Sequence, residues 1–245
     1  MHRLLSDAFR ILVPRGDERH GPLPPLMLVL TMVTGLIDAV SYLALGHVFV
    51  ANMTGNVVFL GFALAGDESL SALASVASVI AFLLGALAGG RFGTRFATHR
   101  GHLLRSATAV QTVLVAVTVL VAAVSDGRVS TGVQYTLIVF LGLAMGMQNA
   151  VARRLGVPDL TTTVLTMTLT ALAADSPPAG GEAPRPGRRI LSVLAMFLGA
   201  LVGAQLVLHG HLVLALGLTL VLLAITSVTT HRLSTADATW VRPAS

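Results

Sequence analysis

A chain of 245 residues that is 54% hydrophobic and only 11% charged falls far below the ~25% charged residues of an ordinary soluble domain, which excludes a surface built for water. The net charge of +5 would suit nucleic acid, but all sixteen basic residues are arginines in short stretches between apolar runs, so lipid headgroups are their expected neighbours and nucleic acid is excluded. With no cysteine, disulfides, thiolate metal sites and a cysteine nucleophile are excluded too.

The first 22 residues mix Leu4, Leu5, Phe9, Ile11 and Leu12 with Arg3, Asp7, Arg10 and Arg15. They lack the uninterrupted apolar core of a cleavable signal and read as a short amphipathic helix on the membrane surface or as a disordered tail. A single membrane domain over 23–231 follows, then a tail over 232–245. A membrane helix needs roughly 20 apolar residues, a length met near 26–45, 72–92, 104–124, 133–152, 190–208 and 212–230. Two further apolar stretches, about 52–65 and 160–174, are shorter and rich in Asn, Thr and Gly.

The arginines decide how those two stretches run. Eight full spans would put the loop with Arg91, Arg95, Arg100 and Arg105 on the opposite face from Arg3, Arg10, Arg15 and Arg19, against the rule that short basic loops stay in the cytoplasm. Six spans, with both short stretches dipping in and returning to the side they came from, put every basic cluster and both termini on the cytoplasmic face. The expected fold class is therefore an all-α membrane protein of about six transmembrane helices plus two short re-entrant or discontinuous helices.

The chain also repeats itself. Gly35-Leu36-Ile37-Asp38-Ala39-Val40 matches Gly146-Met147-Gln148-Asn149-Ala150-Val151 at an offset of 111 (38 to 149). Thr54 stands opposite Thr166 at 112, and Phe82 to Gly89 matches Met196 to Gly203 at 114. Three anchors in order imply duplication, with repeat 1 over about 26–124 and repeat 2 over about 133–230. Three spans per copy make the copies inverted, an arrangement whose solute sites lie near the midplane. Gly85, Gly89, Gly199 and Gly203 would by themselves suit close helix packing.

Asp38 is the one acid well inside an expected span. A carboxylate there costs on the order of 2.5–3.5 kcal/mol unless it faces a cavity or a partner, so it is a candidate proton or solute group. The plainer alternative is a protonated Asp38 that locks helices together. Asn149, beside Gln148, keeps hydrogen-bonding capacity at the repeated position. Asn52, Thr54 and Asn56 in the first dip oppose Thr161, Thr162, Thr163, Thr166 and Thr168 in the second. Short helices starting near Met53 and Thr162 would aim free N–H groups at the interior, with Asn and Thr as caps. Two such N-termini favour an anion or a neutral polar solute, and the same Asn and Thr residues would also serve merely to satisfy backbone at a kink. Transport calls for one polar cavity joining Asp38, Asn52, Thr54, Asn149 and Thr166. Arg153 with Arg154, His99 with His102, and His47 read as interfacial or solvated groups, and 175–189, with four prolines, as a loop.

No nucleophile elbow, zinc-protease, phosphate-loop or dinucleotide motif is present, so no cofactor, no metal and no enzymatic activity is expected. The run Thr34 to Tyr42, the run Ala51 to Asn56 and Gly146 to Ala150 resemble the YoaK family of bacterial multi-pass membrane proteins over roughly residues 25–230. The resemblance implies a protein of the bacterial cytoplasmic membrane with about six spans and brings no assigned catalytic residues. Where members often carry a second Thr-Gly pair this chain has Thr166-Met167, which implies unequal dips. The sequence thus points to a transporter or channel for a small polar or anionic solute, proton-linked through Asp38, with membrane lipids as neighbours and homo-oligomers compatible. The alternatives are a non-transporting membrane protein that binds or assembles a partner and, behind it, a membrane enzyme.

Overall fold

A computed structural model of the chain describes residues 20–96, 98–160, 162, 165–181, 186–234 and 239–241. Among these residues the protein is all-helical. In chain order the helices are α1 (Leu23–Ala44), α2 (Met53–Leu64), α3 (Ala72–Arg95), α4 (Arg100–Val124), α5 (Thr131–Leu155), α6 (Leu165–Ala174), α7 (Pro186–Leu208) and α8 (Leu212–Leu233). The surface helix expected over 1–22 falls almost wholly on residues outside the described set.

Six of the helices are long and apolar enough to cross a membrane, and they are the six expected, each extended by a few residues where a local signal sets its end. Pro24 and Pro25 stand in the first turn of α1, where a missing N–H costs nothing. Ser71 caps α3 through Ala74 N–H, Ser130 caps α5 through Val133 N–H, and the His99 ring accepts from His102 N–H at the start of α4. The helix α5 stops at Gly156, whose left-handed backbone (φ +59°) closes its last turn. By contrast α2 and α6, at 12 and 10 residues, rise only ~15–18 Å and cannot cross a hydrocarbon core of ~30 Å.

Helices α1 and α5 form the buried centre. Neither packs chiefly on its sequence neighbour, for α1 lies against α7, α5 against α3, and α4 against α8. The glycines explain the choice. A Cβ on Gly35 would collide with the Met196 carbonyl, and one on Gly146 with the Phe82 carbonyl. Gly199 meets the Met32 carbonyl as Gly85 meets that of Leu143. Gly203 approaches Leu36 O and Ala39 Cβ, and Gly89 approaches Met147 O and Ala150 Cβ, all within 3.0 Å of where a Cβ would stand. Each of these glycine contacts of the α1–α7 crossing has its partner in the α5–α3 crossing at the offsets of 111 and 114 read from the sequence. Backbone stacks directly on backbone at both crossings, the close approach that small residues permit.

The chain ends also pack inward. Trp240 is 3% exposed and lies against Gly21 and Gly101, where an added Cβ would meet its ring. Within the stretch expected as a tail, residues 239–241 form a short 3-10 turn. The proline-rich loop is also pinned: α7 begins at Pro186, and Arg189 pairs with Asp159 at 3.0 Å and Asp175 at 2.8 Å while donating to Ala171 O.

Candidate functional site

After α1 ends at Ala44 the chain turns at Gly46 and His47, both with positive φ, and runs back along α1 as the extended stretch 48–52. Its depth is fixed by Asp38, whose carboxylate Oδ1 accepts from Ala51 N–H at 3.0 Å and Val50 N–H at 3.3 Å. Asp38 lies six residues before the end of α1, so the stretch returns ~9 Å into the membrane. Only there does α2 begin. The second dip starts on a matching turn, with Asp159 at φ +63° against His47 at +58°, 112 residues apart. Left-handed backbone is uncommon for residues with a side chain, so its recurrence marks the two turns as one design.

Asn56 locks the first dip from within. Fully buried, its side-chain amide accepts from Phe49 N–H at 2.8 Å and donates to Phe49 O at 2.5 Å and to Ser78 Oγ at 3.1 Å; Ser78 in turn donates to Phe49 O at 2.6 Å. Phe49 then lays its ring on Gly55 and stacks with Tyr42 and Phe59. This amide's bonding is spent on the backbone of Phe49, on Ser78 and on the Met53 sulfur at 3.7 Å.

The first two residues of α6, Leu165 and Thr166, stand across a cavity of about 570 Å³ from Ala51, Asn52, Met53, Thr54 and Gly55 at the head of α2. Phe82 and Met196 complete its wall. These two occupy repeated positions near the middle of α3 and α7, so the cavity lies at mid-depth. Among the described residues its lining holds no charged side chain. Asn52 is the N-cap residue of α2 but makes no capping bond, and its amide and the hydroxyls of Thr54 and Thr166 have no hydrogen-bond partner among the described residues. The Met53 and Thr54 N–H groups of the first turn are likewise free of intrahelical partners. The cavity therefore offers two helix N-termini, an amide and two hydroxyls, a set that donates to an anion or to a neutral polar molecule.

The eight candidate residues therefore part company. Asn52, Thr54 and Thr166 share the cavity, whereas Asp38 and Asn56 stand behind its wall and hold it. Gln148 lies elsewhere: buried between α1, α4 and α5, it accepts from Gln111 Nε2 at 2.6 Å and donates to Thr34 Oγ1 at 2.9 Å. Asn149, half-buried, donates to Met145 O at 2.9 Å. The single cavity joining Asp38 and Asn149 to the other three is not what the chain builds: neither residue lines it, and Asp38 turns its Oδ1 to the Val50 and Ala51 N–H groups instead. Thr162 sits at φ +60° with its hydroxyl buried and unpartnered; that backbone prevents a helix from starting there, and α6 begins at Leu165 instead. Thr161 and Thr163 lie outside the described residues. No cluster of potential metal ligands occurs among the described residues. Sequence reasoning missed Ser78, Gln111 and Arg189. Ser78 and Ser192 each precede a crossing glycine by seven residues, and Gln111 is an amide in mid-span, a signal as plain as Asp38.

Six membrane-length helices, two half-length ones and a polar cavity between the heads of the short pair define a polytopic helical membrane protein. Residues 26–229 match the family described as Protein of unknown function (DUF1275), and the chain belongs to that family. It is similar to the UPF0700 transmembrane protein YoaK of Bacillus subtilis (strain 168), 34% identical over 151 residues, which is 61% of this chain and 65% of that relative. No solved structure matches the chain.

Proposed function

We propose that the protein carries or conducts a small polar or anionic solute across the bacterial cytoplasmic membrane, through the cavity between the heads of α2 and α6. One observation carries the reading: a mid-depth cavity of about 570 Å³ whose unpartnered polar groups come from both halves of the chain. Free N–H groups and unpaired amide and hydroxyl groups are tolerated at that depth where they line a wet cavity, and the volume falls in the range of small-molecule sites. The paired glycine crossings support an inverted-topology repeat with the cavity on its pseudo-twofold axis, and the placement of the arginines supports cytoplasmic termini. In this reading Asp38 acts on the wall and not on the solute. Protonating it would weaken its hold on Val50 and Ala51 N–H, so a proton link would run through the position of residues 48–52.

Purified protein in liposomes, screened with inorganic anions and small neutral solutes, tests this. Uptake above protein-free liposomes should fall about tenfold in Asn52→Leu and in Thr166→Val, the value of one lost hydrogen bond to the solute. Uptake equal in wild type and both variants would end the reading. Asp38→Asn with the same pH profile as wild type would remove the proton link and leave transport standing.

A further inference from the structure

The cavity between α2 and α6 is built largely from matched positions. Its lining pairs Met53 with Leu165 and Thr54 with Thr166, the first and second residues of the two short helices, and Phe82 of α3 with Met196 of α7. Each pair keeps its chemistry. One supplies two hydroxyls and the other two supply apolar side chains, so both the polar element and the apolar walls are made twice over. Thr54 and Thr166 make no hydrogen bond among the described residues, and each stands in a first helical turn, where N–H groups have no intrahelical partner.

This lining sets three conditions on an occupant. Two equivalent hydroxyls call for two equivalent acceptor atoms. Two helix N-termini, each worth about half a positive charge, together balance about one negative charge, and a second would stand uncompensated in a low-dielectric interior. Apolar walls call for an apolar body: at about 570 Å³ the cavity has room for roughly nineteen waters of ~30 Å³, so an inorganic anion would leave Met53, Leu165, Phe82 and Met196 facing water. Asp38 does not line the cavity and turns its Oδ1 to the Val50 and Ala51 N–H groups. We propose that the solute is a small aliphatic monocarboxylate, with one carboxylate oxygen on each threonine hydroxyl and the chain lying between Phe82 and Met196. An ionised carboxylate is singly charged, accepts only, and presents two equal oxygens. Half-helix N-termini are suited to receive such a group. The assignment rests on the same cavity as the transport reading and narrows its solute.

Equilibrium dialysis of the purified full chain in neutral detergent against radiolabelled butyrate, with unlabelled competitors, reads the class directly. Butyrate should bind saturably and about fifteenfold more tightly than acetate, a gain of about fourfold per methylene. Butyramide, which lacks the charge, and succinate, which carries a second one, should each compete about tenfold more weakly, and chloride in about tenfold excess should not displace it. Thr54→Val and Thr166→Val should each weaken binding by the same factor, about tenfold, while Thr54→Ser keeps it. Met196→Ala should lose most of the gain per methylene and leave acetate binding as it was, and melting temperatures equal to that of wild type establish that the variants are folded. Absence of saturable butyrate binding would overturn the proposal. So would equal competition by butyramide or chloride, or binding unchanged in both threonine variants. Butyrate binding without uptake of any solute in liposomes would remove the transport reading and keep the site, whereas uptake of other solutes without butyrate binding would do the reverse.

Discussion

The two dips occupy matching positions and each is entered through a residue with left-handed backbone, His47 or Asp159, yet they are held by opposite chemistry. The first is fastened in the interior by groups that bond to backbone: the Asp38 carboxylate on Val50 and Ala51, and the Asn56 amide on Phe49 with Ser78 beside it. The second is fastened at the membrane edge by an ion pair, with Arg189 reaching Asp159 and Asp175. Asp38 stands opposite Asn149 and Arg189 opposite Ser75, so each half is fastened by charge at a position where the other has a neutral side chain. The two dips thus stand at matching positions while their fastenings differ. What is conserved by the geometry is the depth to which the chain returns, and any group able to fix that depth serves.

The glycine crossings give the largest way to break this comparison, because there the halves should behave alike. Gly35→Leu and Gly146→Leu each force a side chain into the facing carbonyl and should cost on the order of 3 kcal/mol. Loss of the monodisperse peak in size-exclusion chromatography should be equal for the two; damage confined to one half would deny the shared crossing. Next comes Arg189→Ala, which leaves Asp159 and Asp175 facing each other without their cation. The cost is about 2 kcal/mol, reduced from the value for a fully buried pair because the Asp175 side chain is 43% exposed. Melting followed by tag fluorescence should show it, and proteolysis should begin in 156–181 and spare 45–64.

Asn56→Ala should act on the other dip, by about 1.5 kcal/mol, since Phe49 N–H then lies unpaired in the interior and Phe49 O keeps only Ser78 Oγ. Asp38→Asn should cost less, about 1 kcal/mol, because an amide oxygen still accepts from Ala51 and the repeated position already carries Asn149. A larger penalty at 38 than at 56 would show that charge, and not acceptor geometry, holds the stretch. The smallest expected effect is that of salt. Raising ionic strength should weaken the Arg189 fastening by about 0.5 kcal/mol or less and leave Asn56→Ala and wild type separated by the same interval. An interval that narrows with salt would contradict a neutral clamp at the first dip.

Much of this was legible in the sequence for a simple reason. Hydrocarbon demands long apolar helices, so composition locates the six spans within a few residues, and the arginines exclude eight. The glycine motifs stood out because backbone contact tolerates no substitute, and they locate the two helix crossings. Asp38, Asn52, Thr54 and Thr166 were found as polar groups in apolar sequence. Their roles were not, since whether a carboxylate faces a cavity or a backbone N–H depends on a stretch twelve residues away in sequence. The Arg189 pairing joins residues from 159 to 189 around a loop that reads as structureless, and no local pattern records it. Asn56 looked like a cavity group for the same reason that it makes a good clamp: an amide copies the donor and acceptor of a peptide bond.

The exchange of partners between halves bears on how the chain is made. Gly35 and Gly85 each wait for a helix from the second half, so the first half leaves the translocon with two bare grooves and no complete core. Membrane insertion and tertiary assembly are consequently separated by the time needed to synthesise residues 131–208. A chain cut in the 125–130 loop should yield two fragments that are each inserted and each degraded when expressed alone, and that rescue one another when co-expressed.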